Sequence, residues 1–265
     1  IVIRTPKGKE FGGVSRDLGA SRIDPKEAID RKVLSSRLGL LGHLDQFQGI
    51  GNSVTDMDYF RNLATDMLMS PNVRNAFDLD LESQATKDKF GNHICGQSML
   101  LARRLVQAEV PIVTVACSAG DLNGSAGDHW DTHADNFNRI KNTMLPAFDR
   151  PAAALLEDLD ERGMLDETLV VFLTEFGRTP KINKNAGRDH YPSCYSVAFA
   201  GAGIQGGQVY GKSDKSGSEP AENACGPADL HATIFEAFGI NHKTTITDRL
   251  GRPFPISDGE PLPLT

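Results

Sequence analysis

The stretch from Gly127 to Pro192 holds three of the chain's seven histidines, His129, His133 and His190, with several carboxylates and arginines. Asp131 and His133 are two residues apart in Trp130-Asp131-Thr132-His133. On an extended segment they share a face, whereas His129 and His133 would share one only on a helix. Aspartate and histidine together suit a borderline divalent cation such as zinc. The same cluster would also serve to start the next helix, with Asp131 or Thr132 as its cap. Glu175 directly follows the strand-like segment 168–174. A carboxylate at the carboxyl end of a strand faces the site crevice of an α/β protein, or it pairs with Arg178 three residues on. In Gly187-Arg188-Asp189-His190, the histidine is a candidate ligand with Asp189 as its orienting partner, or both are exposed. Arg178 and Arg188 suit the oxygens of an anionic substrate, which a guanidinium grips in pairs; taken singly, each also fits plain surface charge. The expectation is a site in which Asp131, His133 and His190 converge on one divalent cation. Glu175 lies nearby, and Asp189 stands behind the ligands or on the surface. Two imidazoles and a carboxylate leave a position open for water or substrate. Nitrogen-rich ligation favours zinc; calcium or magnesium would need more oxygens.

The elements that must position these groups are legible in the spacing of apolar residues. Val110 to Cys117 is a β-branched run and reads as a buried strand, as do 168–174 and 195–200. Helical periodicity runs over 95–108, with Arg103 and Arg104 on the solvated side, and over 227–238. It also runs over 134–162, where Pro146 and Pro151 imply two helices or one kinked helix that Gly163 terminates. Asp24-Pro25-Lys26-Glu27 is a strong helix start, and 24–80 reads as a helical cap or wall with no strand signal. The expected organisation is an extended lead-in and helical subregion over 1–92. An α/β core with a Pro-rich tail over 93–265 forms one continuous domain with it. Alternation of helix and strand after residue 95 implies a parallel sheet flanked by helices. Three strands are few for such a sheet, and the chain opens at Ile1 with no leader. An incomplete sheet is therefore expected, its first strand coming from a separate N-terminal segment.

Composition sets the outer limits. Hydrophobic residues at 39% and charged residues at 24% suit a globular protein with a substantial core. A net charge of −7 without a Lys/Arg cluster argues against a nucleic-acid partner. No apolar run approaches the roughly 20 residues that span a bilayer. Cys95, Cys117, Cys194 and Cys225 lie far apart without a CxxC, which leaves thiols and a disulfide both open and disfavours zinc–thiolate ligation. The glycines between 201 and 207 lack Rossmann spacing, and there is no P-loop and no GxSxG elbow.

Taken together, Trp130-Asp131-Thr132-His133, Leu155-Leu156-Glu157-Asp158-Leu159, Glu175-Phe176-Gly177-Arg178-Thr179-Pro180 and Gly187-Arg188-Asp189-His190 resemble the bacterial family catalogued as domain of unknown function 1501. Ala76-Phe77-Asp78-Leu79, Gly96-Gln97-Ser98, Asp229-Leu230-His231-Ala232-Thr233-Ile234 and Thr247-Asp248-Arg249-Leu250-Gly251-Arg252-Pro253 fit its other signatures. That resemblance implies a sulfatase-like member of the alkaline phosphatase superfamily: a three-layer αβα sandwich with metal at the strand ends. It implies an exported, periplasmic protein acting on a small anionic ester or a sulfated or phosphorylated glycan. In that superfamily an Asp and a His before a long helix bind metal, and Asp131 and His133 look like that pair, with His190 as the later histidine. The next strand usually ends Asp-His-Gly, where this chain has Glu175-Phe176-Gly177. Phe176 cannot bind metal, which weakens the case for a second ion. The family nucleophile and a further metal-binding Asp belong to an N-terminal part not present in this sequence. The implied roles are Asp131, His133, His190 and Glu175 at the metal, with Glu175, Arg178 and Arg188 in the chemistry. The competing reading is a non-catalytic exported member that binds an anion or glycan or has a structural role.

Overall fold

The structure, a computed structural model, describes residues 71–117 and 129–264 together with helical positions 33, 36, 37, 39 and 40. The remainder of the helices expected over 24–70 lies outside the described residues. The chain forms two compact units, one from residues 1–129 and 144–155, the other from 130–143 and 156–265.

In the first unit, α1 (Pro71–Phe77) opens on a proline, whose missing N–H costs nothing at a helix start. A 3₁₀ turn (Leu79–Leu81), α2 (Gln84–Phe90) and α3 (Ile94–Gln107) follow. Leu101 and Leu105 of α3 pack against Ala76 and Phe77, and Leu79, Val110 and Val113 close over them. Arg103 and Arg104 depart from expectation. Arg103 is 1% exposed, and its Nη2 lies 2.8 Å from Glu82. Arg104 bonds the same carboxylate and the carbonyls of Asn75 and Ala76. Burial opposes ionisation of Glu82, but the two guanidiniums outweigh it and hold the carboxyl below its usual range. An α3 face that periodicity assigns to solvent is thus the anchor of the α1–α2 connection. Gly96 and Gln97 are structural as well: a Cβ on Gly96 would stand 2.2 Å from the Phe90 carbonyl, and Gln97 Nε2 donates to Gly91 O at 2.8 Å.

Next in the chain come α4 (Asn136–Arg139), a π turn (Ile140–Met144) and α5 (Leu145–Glu161). The interruption is therefore a π turn ahead of Pro146, while Pro151 is accommodated inside a continuous helix. Gly163 ends α5 as its spacing predicts. Its φ of +67° lets Gly163 N reach Asp160 O at 2.8 Å and Met164 N reach Leu159 O at 2.8 Å.

The second unit contains β1 (Val170–Phe172), β2 (Gly177–Arg178), β3 (His190–Tyr191), β4 (Ala198–Ala200), β5 (Lys212–Ser213), β6 (Pro220–Glu222), α6 (Pro227–Ala237), β7 (Thr245–Thr247) and β8 (Pro253–Pro255). They pair as β1–β4, β2–β3, β5–β6 and β7–β8, each antiparallel. The architecture is mixed α and β, but the described strands do not form the parallel sheet that alternation suggests. The reason lies between residues 172 and 198. A parallel pair needs a crossover, usually a helix; here the chain returns through loops and the short β2–β3 ribbon, so β4 comes back antiparallel with Val171 opposite Phe199. Residues 112–117 form neither helix nor ladder among the described residues. The Pro-rich tail lies against α6: Glu260 N bonds Asp229 Oδ1 at 3.0 Å, and Leu262 N bonds Thr233 Oγ1 at 2.9 Å.

Candidate metal centre

The site lies wholly within the second unit, where two loops are sewn together. Residues 132–136 run beside 185–188: Arg188 N donates to Thr132 O at 3.0 Å, Asp135 N to Asn185 O at 3.0 Å, and Asn136 N to Ala186 O at 2.9 Å. An Ala134–Ala186 bridge sits between them. The approach is close enough to demand a glycine, because a Cβ on Gly187 would stand 2.0 Å from the His133 carbonyl carbon. The β2–β3 ribbon sets Arg178 opposite His190. Asp135, not Asp131 or Thr132, occupies the cap position of α4, in a left-handed conformation at φ 46°. Thr132 instead bonds Asn136 through its hydroxyl. Asp131 is thereby released from capping and turned into the site.

Three donor atoms converge. Asp131 Oδ1 lies 2.8 Å from His190 Nε2 and 3.0 Å from His133 Nε2, and the two Nε2 atoms are 3.2 Å apart. Ligands about 2.0–2.1 Å from one ion stand roughly 3.0 Å apart at right angles and roughly 3.4 Å apart at tetrahedral angles. The observed separations are close to the edges of such a coordination shell, nearest the right-angled case, so the residues present fit a single divalent cation. All three side chains are exposed, which leaves the open side of the cluster accessible.

Asp189 supports this cluster through His133 rather than through its neighbour His190. Its Oδ1 lies 2.7 Å from His133 Nδ1. With the proton on Nδ1 shared with that carboxylate, the Nε2 lone pair of His133 faces Asp131 and His190, the tautomer a metal ligand requires. Asn183 holds the arrangement. Its Nδ2 donates to Asp189 Oδ1 at 3.1 Å and to His133 O at 3.0 Å, and its Oδ1 accepts from Gly187 N at 2.9 Å. No residue-type argument singles out Asn183. The available signal is its place in Asn183-Lys184-Asn185-Ala186-Gly187, where side-chain turn chemistry is common.

The electrostatics follow from these contacts. The His190 hydrogen bond, then Arg178, depresses the Asp131 carboxyl to about 2 against the cost of partial burial. Asp189 is likewise held below the usual carboxylate range, first by His133 and then by Asn183.

The other residues singled out from sequence separate clearly. Arg178 places Nη1 2.8 Å from Asp131 Oδ1; Glu175 is not its partner. Glu175 is exposed and belongs neither to the donor cluster nor to any ion pair among the described residues. Arg188 donates from Nε to Thr179 O at 2.7 Å and from Nη2 to Arg178 O at 3.0 Å, so it braces the loop. Phe176 packs its ring on His190 at a centroid distance of 4.4 Å, and the Arg178 guanidinium lies 5.9 Å from the Phe176 centroid. His93 and His242 are structural: His93 caps α3 by accepting from Gly96 N at 3.3 Å, and His242 pairs with Glu236 at 2.8 Å. His43 lies outside the described residues.

A family model described as "Protein of unknown function (DUF1501)" matches residues 8–264, and the chain belongs to that family. No curated protein and no solved structure matches the chain.

Proposed function

We propose that this DUF1501 protein is a sulfatase-like, metal-dependent hydrolase of phosphate or sulfate esters, with Asp131, His133 and His190 holding one divalent cation, zinc first. The observation that carries the reading is the donor triangle, with edges of 2.8, 3.0 and 3.2 Å, backed on one imidazole by Asp189. The order in which the chain supplies its ligands supports the alkaline phosphatase superfamily and its three-layer αβα sandwich. Asp-x-His comes before a long helical run, then a strand, then a later histidine. That likeness also supports export to the periplasm. No described helix is long and apolar enough to cross a membrane.

When bound, such an ion acts as a Lewis acid toward the ester oxygen. Asp189 keeps the Nε2 of His133 turned inward. Arg178 commits Nη1 to Asp131 and leaves Nε and Nη2 without partners among the described residues; these donors suit the remaining oxygens of a small anionic ester or a sulfated or phosphorylated glycan. Arg188, spent on backbone carbonyls, positions the loop instead. Phe176 favours a second reading, a non-catalytic domain binding an anion or glycan, because it fills the place of a further ligand beside His190 with a hydrocarbon ring. Elemental analysis of natively purified protein and calorimetric zinc titration test the site, with His190→Ala as the comparison. Uptake that His190→Ala abolishes is expected, and uptake unchanged by that substitution removes His190 from the site. Turnover of an aryl phosphate or aryl sulfate by the zinc-loaded protein then separates hydrolase from binding domain.

A further inference from the structure

The first unit holds a pair of cysteines that the metal chemistry does not use. Cys95 stands in the first turn of α3 and is 1% exposed; Cys117 ends the run that follows α3. The run lies along one row of the helix. Ser98, Leu101, Ala102 and Leu105 line one side of a narrow gap, and Val113 to Ala116 line the other. Val110 and Val113 pack at the Leu101–Leu105 end, so the run travels back toward the start of the helix. The lengths agree. Ten helical residues from Leu105 to Cys95 span about 15 Å, and the four residues from Val113 to Cys117 reach about 13 Å at full extension. The chain therefore brings Cys117 toward Cys95, near enough for each thiol to influence the other's ionisation. No disulfide joins them, and all four cysteines are thiols.

We propose that Cys95 and Cys117 form a reversible dithiol–disulfide pair that, when oxidised by a small disulfide, staples this run to the first turn of α3. The two sulfurs are not equivalent. Interaction with Cys95 holds the Cys117 thiol below its ordinary range, while the same interaction and burial push Cys95 up. Cys117 is also the more accessible of the two. Cys117 as thiolate attacks one sulfur of the oxidant RSSR, forming a Cys117–S–S–R bond and expelling RS⁻. Cys95 then loses its proton and attacks the Cys117 sulfur, forming the Cys95–Cys117 bond and expelling a second RS⁻. Both protein thiols are oxidised, and one RSSR is reduced to two RSH. This pairing is independent of the metal site.

The test uses the whole chain and glutathione disulfide as the oxidant. After incubation, remaining thiols are alkylated in denaturant and the protein is digested and weighed. The expected result is a Cys95–Cys117 linked peptide, two hydrogens lighter than the sum of its parts and absent after dithiothreitol. Cys95→Ser should trap a glutathione adduct on Cys117, because the resolving thiol is gone. Full alkylation of both cysteines after oxidation, or linkage of either to Cys194 or Cys225, overturns the proposal. Because oxidised and reduced forms of the same unmutated chain are compared, the main readout does not depend on a variant folding.

Discussion

Replacing Asp189 isolates what a carboxylate behind a ligand contributes. Asp189 Oδ1 accepts from two donors, His133 Nδ1 at 2.7 Å and Asn183 Nδ2 at 3.1 Å. In Asp189→Asn the amide oxygen can still accept from both, so the change removes charge and leaves the geometry. In Asp189→Ala both bonds vanish. The ring of His133 then loses the contact that fixes its tautomer, while Asn183 keeps its bonds to His133 O and from Gly187 N. Loss of such an outer partner typically costs about 10- to 100-fold in metal affinity. The Asp189 side chain is 51% exposed, so water can replace part of the lost bond. The expected cost for Ala therefore sits at the lower end, about tenfold, with Asn at roughly threefold. Zinc titration by calorimetry against a competing chelator reads this directly, with circular dichroism to confirm an intact fold. The reasoning is refuted if Asp189→Ala binds zinc within about twofold of wild type while His190→Ala abolishes binding. His133 would then be oriented by its loop alone.

Two further outcomes follow from the same structure. Asp229 accepts from Gly226 N at 2.8 Å and Glu260 N at 3.0 Å, tying the start of α6 to the tail. Asp229→Ala should lower stability by about 1–2 kcal/mol in urea denaturation, and an unchanged midpoint would show that the tail is held elsewhere. Acid should weaken a contribution from Asp131. Its folded carboxyl lies at about 2 against an ordinary value of about 3.9. The stabilisation is present above about pH 4 and fades as pH falls toward about 2. The stability gap between wild type and Asp131→Asn should therefore narrow from pH 6 to pH 3; because Asp131 is half exposed the gap is small throughout, and a gap that widens in acid contradicts the assignment.

Helices were legible wherever periodicity and end signals agreed. α3 and α6 lie within a residue or two of the expected spans, and Gly163 terminates α5 because only a residue tolerant of positive φ can close its last carbonyls. The strands misled, because an apolar β-branched run reports burial and extension but not its partner. Val110 to Cys117 instead lies along α3 without a ladder among the described residues, half-buried at best, with Ile112 71% exposed. The direction of β4 was in principle readable: residues 173–197 carry no helical period, and without a crossover helix the return strand must run antiparallel. Arg103 failed for a different reason, since periodicity assumes charge prefers water, whereas the Glu82 carboxylate lies against both guanidiniums and two carbonyls accept from Arg104.

The site was legible by residue type and illegible by partner. Asp131, His133 and His190 were candidates because aspartate and histidine together suit a divalent cation, with a helix cap as the competing use, yet nothing in their spacing says that Asp189 serves His133 across the fold instead of the histidine beside it. That pairing is set by backbone. Thr132 O, Ala134 and Asn136 N are laced to residues 186–188. Lacing at this distance is possible only because Gly187 lacks the Cβ that would strike His133. A loop laid antiparallel to another puts residue 189 beyond residue 188, opposite Thr132, and so within reach of the His133 ring. Glu175 lies outside for the same reason: the β2–β3 ribbon starts at Gly177, two residues later, and its register delivers Arg178, not Glu175, to His190 and Asp131. The glycine in Gly-Arg-Asp-His is therefore the informative residue of that motif, because it fixes which carboxylate stands behind which imidazole.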